Sequence, residues 1–417
     1  MEMISPAVAS GIVIGSLLIS LAAYIWFSGR EGTYINILTP LFILQVPACF
    51  LFPLIYLNLF GSEYSAYAYT FTYGTLAVES WAFVLAYTHR REKAAFALPK
   101  CSDRNFTALS LMCLGLAGAI YAPVLLEFRE FILDPREIYK LTRTGFGQQT
   151  FVSSVLAYLA VIFILFAKRS WITKTLVLVA ASGVVILHGS KGQVLNIFLL
   201  LLLFQVYVRK RRIALLPALV RGLALGGVVA LLFAATMSLG DGLVEALQDI
   251  SQYSDYTRNA MLVIDSGLPL QYGRLTMEAN LYGRIPRALM PNKPKDFGAF
   301  YLVEEFYPEW FDADTGSPDF GIGVQYADFG ALALVYLALF SMLKGWLARI
   351  FVDRLKLTGH PADFLVVGFL AEISVLPLGG AGWLFPEVIL LAWAMRYFAG
   401  VGAPSRRIAA PNLSPAS

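Results

Sequence analysis

Apolar residues run along this chain in stretches of about 20, separated by short polar and basic interruptions. A helix crossing a bilayer core needs roughly 17 to 25 mostly apolar residues, so the pattern predicts membrane helices. They fall near 6 to 27, 35 to 60, 65 to 88, 106 to 126, 146 to 167, 171 to 188, 192 to 208, 216 to 238, 320 to 343, 362 to 378 and 382 to 399. The tight HGSKG turn joins the sixth and seventh, and the stretch PLGGAG from Pro377 joins the last two. The expected fold class is an all-α polytopic membrane protein of about eleven transmembrane helices with one large external loop. Four regions follow: 1–238 with eight helices, the loop 239–319, 320–400 with three helices, and a disordered tail 401–417 rich in Pro, Ala and Ser.

Composition agrees: 58% of residues are hydrophobic and 14% charged, against about 25% charged in soluble domains. The N-terminal MEMISPAVASG has no basic residue before its apolar run, which reads as a first membrane helix and not as a removed signal. Cys49 and Cys113 lie inside apolar runs and Cys101 in a loop, so neither a disulfide framework nor a paired-cysteine metal motif is available.

The net charge of +4 matters through its placement. Basic clusters occur at HRREK with Lys100 and Arg104, at Lys168, Arg169 and Lys174, at Arg209 to Arg212, at Lys344 to Lys356, and at Arg396 with Arg406 and Arg407. They occupy every second loop, which orients eleven helices with the N-terminus outside and the C-terminus in the cytoplasm. This is a topology signal and not a nucleic-acid footprint. Chain-wide repeats are not apparent, which weakens a two-half transporter reading.

The loop Leu239 to Asp319, of about 80 residues, is far longer than a simple connection needs. From Gly242 to about Asp265 it can form an amphipathic helix, expected to lie on the membrane surface. The segment GRLTMEANLYGRIPRALMPNKPK then sets Arg274, Arg284, Arg287, Lys293 and Lys295 against one acid, Glu278, while Pro286, Pro291 and Pro294 fix a rigid turn. Guanidinium groups bind phosphate oxygens bidentately, which suits a lipid-borne diphosphate; contact with anionic headgroups is the other reading. From Asp296 to Asp314, six carboxylates alternate with aromatic residues such as Tyr301, Tyr307 and Trp310, a composition for orienting sugars or for a solvated acidic helix. His188 to Gly192, with Lys191, is either an anion-binding nest or a tight turn. Glu79, Glu372 and Glu387 lie in apolar runs and need a partner or a cavity. No GxxxxGK[ST] loop, HExxH or nucleophile elbow appears, which disfavours an ATP-driven pump or a nucleotide-sugar enzyme.

The turn GSKGQVLNIFLLLLLFQVYVRKRR, the segment YGRIPRALMPNKPKDFG and the later SPDFGIGVQYADFG resemble the O-antigen (Wzy-type) polymerases, which join oligosaccharide repeat units. The likeness covers roughly 185 to 400, and its sharpest piece is IPR followed by NKP and a re-entry at Asp328, Phe329 and Gly330. The resemblance implies a glycosyltransferase of the bacterial inner membrane, GT-C-like in architecture, acting at the periplasmic face on undecaprenyl-diphosphate-linked oligosaccharide. It implies no metal, nucleotide or other cofactor, the lipid bilayer as surroundings, and a chain-length regulator as a further partner. Arg284 and Arg287 would stabilise the leaving diphosphate, and Glu278 or Asp296 would accept or orient the hydroxyl proton. Arg274, Lys293, Lys295, Lys191 and Arg258 complete the expected substrate-binding set. An O-antigen ligase using the same donor, and a flippase or exporter coupled through Glu79, Glu372 and Glu387, are the alternatives.

Overall fold

The computed structural model describes residues 3–89, 105–132, 135–142, 146–189, 191–218, 220–222, 248, 251–285, 289–312, 318–373 and 386–400. Among these, the regular elements are helices, apart from one isolated bridge between Met3 and Ser65. The chain starts α1 (Pro6–Glu31) at Ser5, whose Oγ accepts the Val8 N–H at 3.4 Å. In α2 (Thr39–Phe60) the ring of Pro47 lacks a donor, and a π-turn opens at Pro47–Leu51. Next come α3 (Ala66–His89), α4 (Phe106–Glu127), the short α5 (Pro135–Leu141), α6 (Gly147–Phe166), α7 (Trp171–Leu187) and α8 (Lys191–Leu203), which ends in a π-turn at Phe204–Val208. The loop holds α9 (Asp255–Asp265), α10 (Arg274–Tyr282) and α11 (Ala299–Phe306). Then follow α12 (Gly323–Thr358), α13 (Pro361–Leu370) and α14 (Pro386–Gly400).

Among the described residues, five helices (α1, α2, α4, α6 and α12) are long and apolar enough to cross a membrane, and α7, α13 and the α8 segment are shorter apolar helices. The molecule is thus a polytopic, all-helical protein. α3 packs between α1 and α12, while α4, α6, α7 and α8 form a second group. The groups join where Phe166, Phe204 and Phe364 meet edge to face at 5.2 to 5.9 Å. α12 lies so close to α3 that a Cβ on Gly345 would sit 2.2 Å from the Phe83 carbonyl oxygen. Small residues allow such backbone approach where no water drives helices together.

One expectation about α12 is corrected. Its predicted end near 343 would leave Lys344, Arg349, Arg354 and Lys356 in a cytoplasmic loop, but the helix continues to Thr358. Each cation meets a carboxylate: Lys344 pairs with Glu372, Arg349 with Glu31 at 3.4 Å, Lys356 with Glu31 at 3.7 Å, and Arg354 with Asp363 at 3.4 Å. Paired charges remove the reason for the helix to stop. Asp363, fully buried in the first turn of α13, also takes Arg396 from α14 and the Thr358 hydroxyl at 2.9 Å. It knots α12, α13 and α14 together at one end. Of the other predicted segments, most of 216–238, everything from 374 to 385 and the tail 401–417 lie outside the described residues.

Candidate functional site

The loop does not merely rest on the bundle; its helix α9 packs into it. Met261 and Ile264 of α9 are buried with Ala9, Val13, Phe50, Tyr69 and Tyr73 in one apolar cluster, so the expected surface helix is corrected for Asp255–Asp265. Burial of that face against protein, which the amphipathic pattern allows as readily as burial in lipid, explains the difference. Asp265 accepts the Ser65 N–H at 2.7 Å and its hydroxyl at 2.6 Å, and Tyr73 meets Thr257 at 3.3 Å. The two helices therefore run antiparallel over eight residues, about 12 Å of rise. Asp255, at the deep end, feels burial first and the nearby Asp319 charge second, and its carboxyl is pushed up to about 6.

α10 is fixed at its start by Asp328 in the first turns of α12. That carboxylate, fully buried, accepts the N–H of Leu275 at 2.9 Å and of Thr276 at 2.8 Å. A double acceptor there satisfies two donors a helix start leaves open and places an anion at the positive end of its dipole. At the other end of α10, Arg284 donates from Nε to Glu387 in the first turn of α14, and from Nη1 to the Asn280 Oδ1 at 3.0 Å. Glu387 stands nine residues before Arg396, so the pair lies about 13 Å of helix from the Asp363 knot. Glu372 stands nine residues after Asp363 and Lys344 ten before Arg354, so both lie about as far from that knot. Their side chains nonetheless keep 21% and 39% of their surface, Lys344 and Glu372 respectively, in a small cavity that Glu79, Gln45 and Ser341 also line. Charges held between helices at this depth line a polar interior.

The predicted site residues divide. Lys293 folds back on the turn that carries Arg284: its ammonium donates to the Ile285 carbonyl at 3.1 Å and lies 4.4 Å from the Phe297 ring centre, while the Arg284 guanidinium is turned to Glu387 and Asn280. Arg274 and Glu278 sit one helical turn apart on α10, their closest charged atoms 3.9 Å apart, with the Arg274 guanidinium 4.6 Å from the Tyr301 ring centre. Glu278 also accepts the Gly298 N–H at 3.1 Å. Gly298 has φ 61°, and a Cβ there would come within 2.8 Å of Ala279. Glu278 thus clasps α10 to α11. Asp296 is half-buried and Lys295 exposed. Arg287 lies outside the described residues, as does Asp314.

Arg258 belongs to a separate cluster, 3.4 Å from Glu63 and stacked 3.7 Å from the Tyr56 ring centre. Lys191 begins α8. The turn before it is a packed one: His188 is fully buried, its ring nitrogens 3.0 Å from the hydroxyls of Ser153 and Ser154, and stacked edge-on to Tyr121. Glu304, Glu305 and Glu309 are exposed, as in the solvated-helix reading, while Tyr307 donates to Asn259 at 2.8 Å. Sequence reasoning missed Asp328 as the anchor of α10, Asn280 as a partner of Arg284, and Asp255. The ADFG ending marked the place of Asp328 without its job.

The chain is 36% identical over 365 residues to the O-antigen polymerase of Salmonella typhimurium and equally to that of Salmonella typhi, covering 87% of this chain and 88% of each relative. No family model matches the sequence. No solved structure matches it either.

Proposed function

This chain belongs to the O-antigen polymerase family, and from that premise we propose how it joins lipid-linked repeat units into O-antigen in the bacterial membrane. The growing glycan leaves undecaprenyl diphosphate and passes to the terminal sugar hydroxyl of the next lipid-linked unit, at the periplasmic face of the inner membrane. The observation that carries this reading is the placement of Arg284: a guanidinium at the inner end of a loop helix, held between Asn280 and Glu387.

As the glycosidic bond breaks, the diphosphate gains negative charge. A fixed cation in a water-poor site stabilises that charge without reorganising at the moment of reaction. Arg284 takes this role with Arg287 three residues on and Lys293 beside the same segment. Arg274, one helix length away on α10 and steadied by Tyr301, would meet the more distal part of the ligand. The attacking hydroxyl needs an acceptor for its proton. Asp296 stays in that role, and Asp255 joins it because a carboxyl titrating at about 6 exchanges protons near neutral pH. Glu278 is assigned to holding α10 against α11.

The architecture completes the proposal: eleven spanning helices, the N-terminus outside, the loop 239–319 on the periplasmic side, and a GT-C-like cavity beneath it. A chain-length regulator would act on the same outer face.

The test is the surface glycan of a strain lacking the gene. A polymerase leaves O-antigen one repeat long, and wild-type protein restores the ladder while Arg284→Ala does not. Full-length polymer still attached to undecaprenyl diphosphate would instead mark a ligase. Single units stranded on the cytoplasmic face would mark a flippase.

A further inference from the structure

Between α1, α3 and α12, at the end of the bundle away from the loop, runs a groove of about 830 Å³. Its walls are apolar: Trp26, Leu85, Leu343 and Trp346, all substantially exposed. Arg30 and His89, also exposed, stand at its rim as the next-to-last residue of α1 and the last of α3. The Arg30 guanidinium lies 5.0 Å from the Trp26 ring centre. Its neighbour Glu31 turns the other way, to Arg349 and Lys356.

An apolar trough on the outside of a spanning bundle faces acyl chains, and two cationic or donating groups at one end of it face headgroups. We propose that this groove holds one anionic glycerophospholipid of the adjoining leaflet, its acyl chains along Trp26 and Trp346 and its phosphate at Arg30 and His89. The stack on Trp26 orients the guanidinium, and its fork matches two phosphate oxygens. A lipid-linked glycan does not fit, because its diphosphate has to meet the loop, and Ser65 and Asp265 place the loop at the opposite end of α3. The site takes no part in the reaction proposed above; only the exclusion of a lipid-linked glycan rests on that reading.

The full chain, purified in detergent and given equal amounts of phosphatidylglycerol and phosphatidylethanolamine, tests this by native mass spectrometry. Wild type should retain one phosphatidylglycerol in preference. A basic side chain near a lipid surface is worth roughly a fivefold preference, so the double variant Arg30→Gln/His89→Gln should lose at least that much. Ala86→Trp fills the groove without changing charge and should reduce retention of both lipids, in protein that still elutes as a single species. Equal retention of the two lipids by wild type would overturn the proposal. So would a phosphatidylglycerol preference that survives Arg30→Gln/His89→Gln, or lipid retention that Ala86→Trp leaves unchanged.

Discussion

Arg284 serves two elements at once, the end of α10 through Asn280 and the start of α14 through Glu387. Such a residue is legible in sequence only by half. Its type and its place in a proline-braced basic run single it out as a candidate phosphate ligand, but nothing local points to Glu387, 103 residues away, which reads only as an acid in need of a partner. Asp328 was hidden more completely, because a buried carboxylate that caps another helix has no local pattern. Replacing it with Asn keeps an acceptor but removes the charge and one of two oxygens facing Leu275 and Thr276. Losing a cap of this kind costs about 1 to 2 kcal/mol. Asp328→Asn should therefore stay inserted and abundant while the substrate concentration for half-maximal polymerisation rises, and Asp328→Ala should lose more; equal activity of all three proteins would contradict the anchoring role. Asp255 makes a prediction with a sign. Its folded carboxyl titrates at about 6, above the ordinary 3.8, so folding favours the protonated form. That stabilisation is complete below about 4 and is lost as pH rises through about 6. Asp255→Asn should accordingly melt higher than wild type at pH 8 and at the same temperature at pH 4. An identical difference at both pH values would show that the carboxyl titrates normally.

Helices were the most legible scale, because runs of about 20 apolar residues have few alternatives in a bilayer. α1, α4, α6 and α7 lie within a few residues of their predicted bounds. The length of α12 was not legible, since the carboxylates that let it carry four cations come from Glu31, Asp353, Asp363 and Glu372, three of them on other segments. The depth of α9 was hidden for a different reason: its apolar face is evident, but no local signal says whether lipid or protein covers it. Two substitutions probe these elements. Gly345→Val adds a branched side chain where even a Cβ meets the Phe83 carbonyl, so α12 has to lift off α3. Overpacking costs 1 to 3 kcal/mol or more, and membrane-inserted protein should fall several-fold, with Gly345→Ala falling less. Asp363→Ala leaves Arg354 and Arg396 facing each other without their buried acid. Removing one partner of a buried pair typically costs 3 to 5 kcal/mol. Thermal unfolding in detergent should shift down strongly, and an unchanged midpoint would mean that the three helices are held by packing alone.

In the whole molecule, one end is closed by the Asp363 knot and the Glu31 pairs, and at the other the loop helix α9 packs into an apolar cluster between the bundle helices. By the positive-inside rule, the orientation proposed above puts the basic clusters in the cytoplasm and the loop outside. Reporters fused near 290 and near 95 should therefore label opposite faces of the membrane. A shared face would reverse the site's access to its substrate. Activity depends most on whether Arg284 acts on the diphosphate or merely neutralises Glu387, and a single variant confounds the two because it leaves the half-buried Glu387 without its cation. The decisive measurement is the initial polymerisation rate of lipid-linked repeat units in proteoliposomes for wild type, Arg284→Ala, Glu387→Ala and the double variant. A cation that stabilises the leaving diphosphate contributes on the order of a hundredfold or more. Arg284→Ala and the double variant should both fall by that amount, and Glu387→Ala should fall far less. Recovery of the double variant to near the wild-type rate would contradict the account, since only a structural pair is repaired by removing its second member.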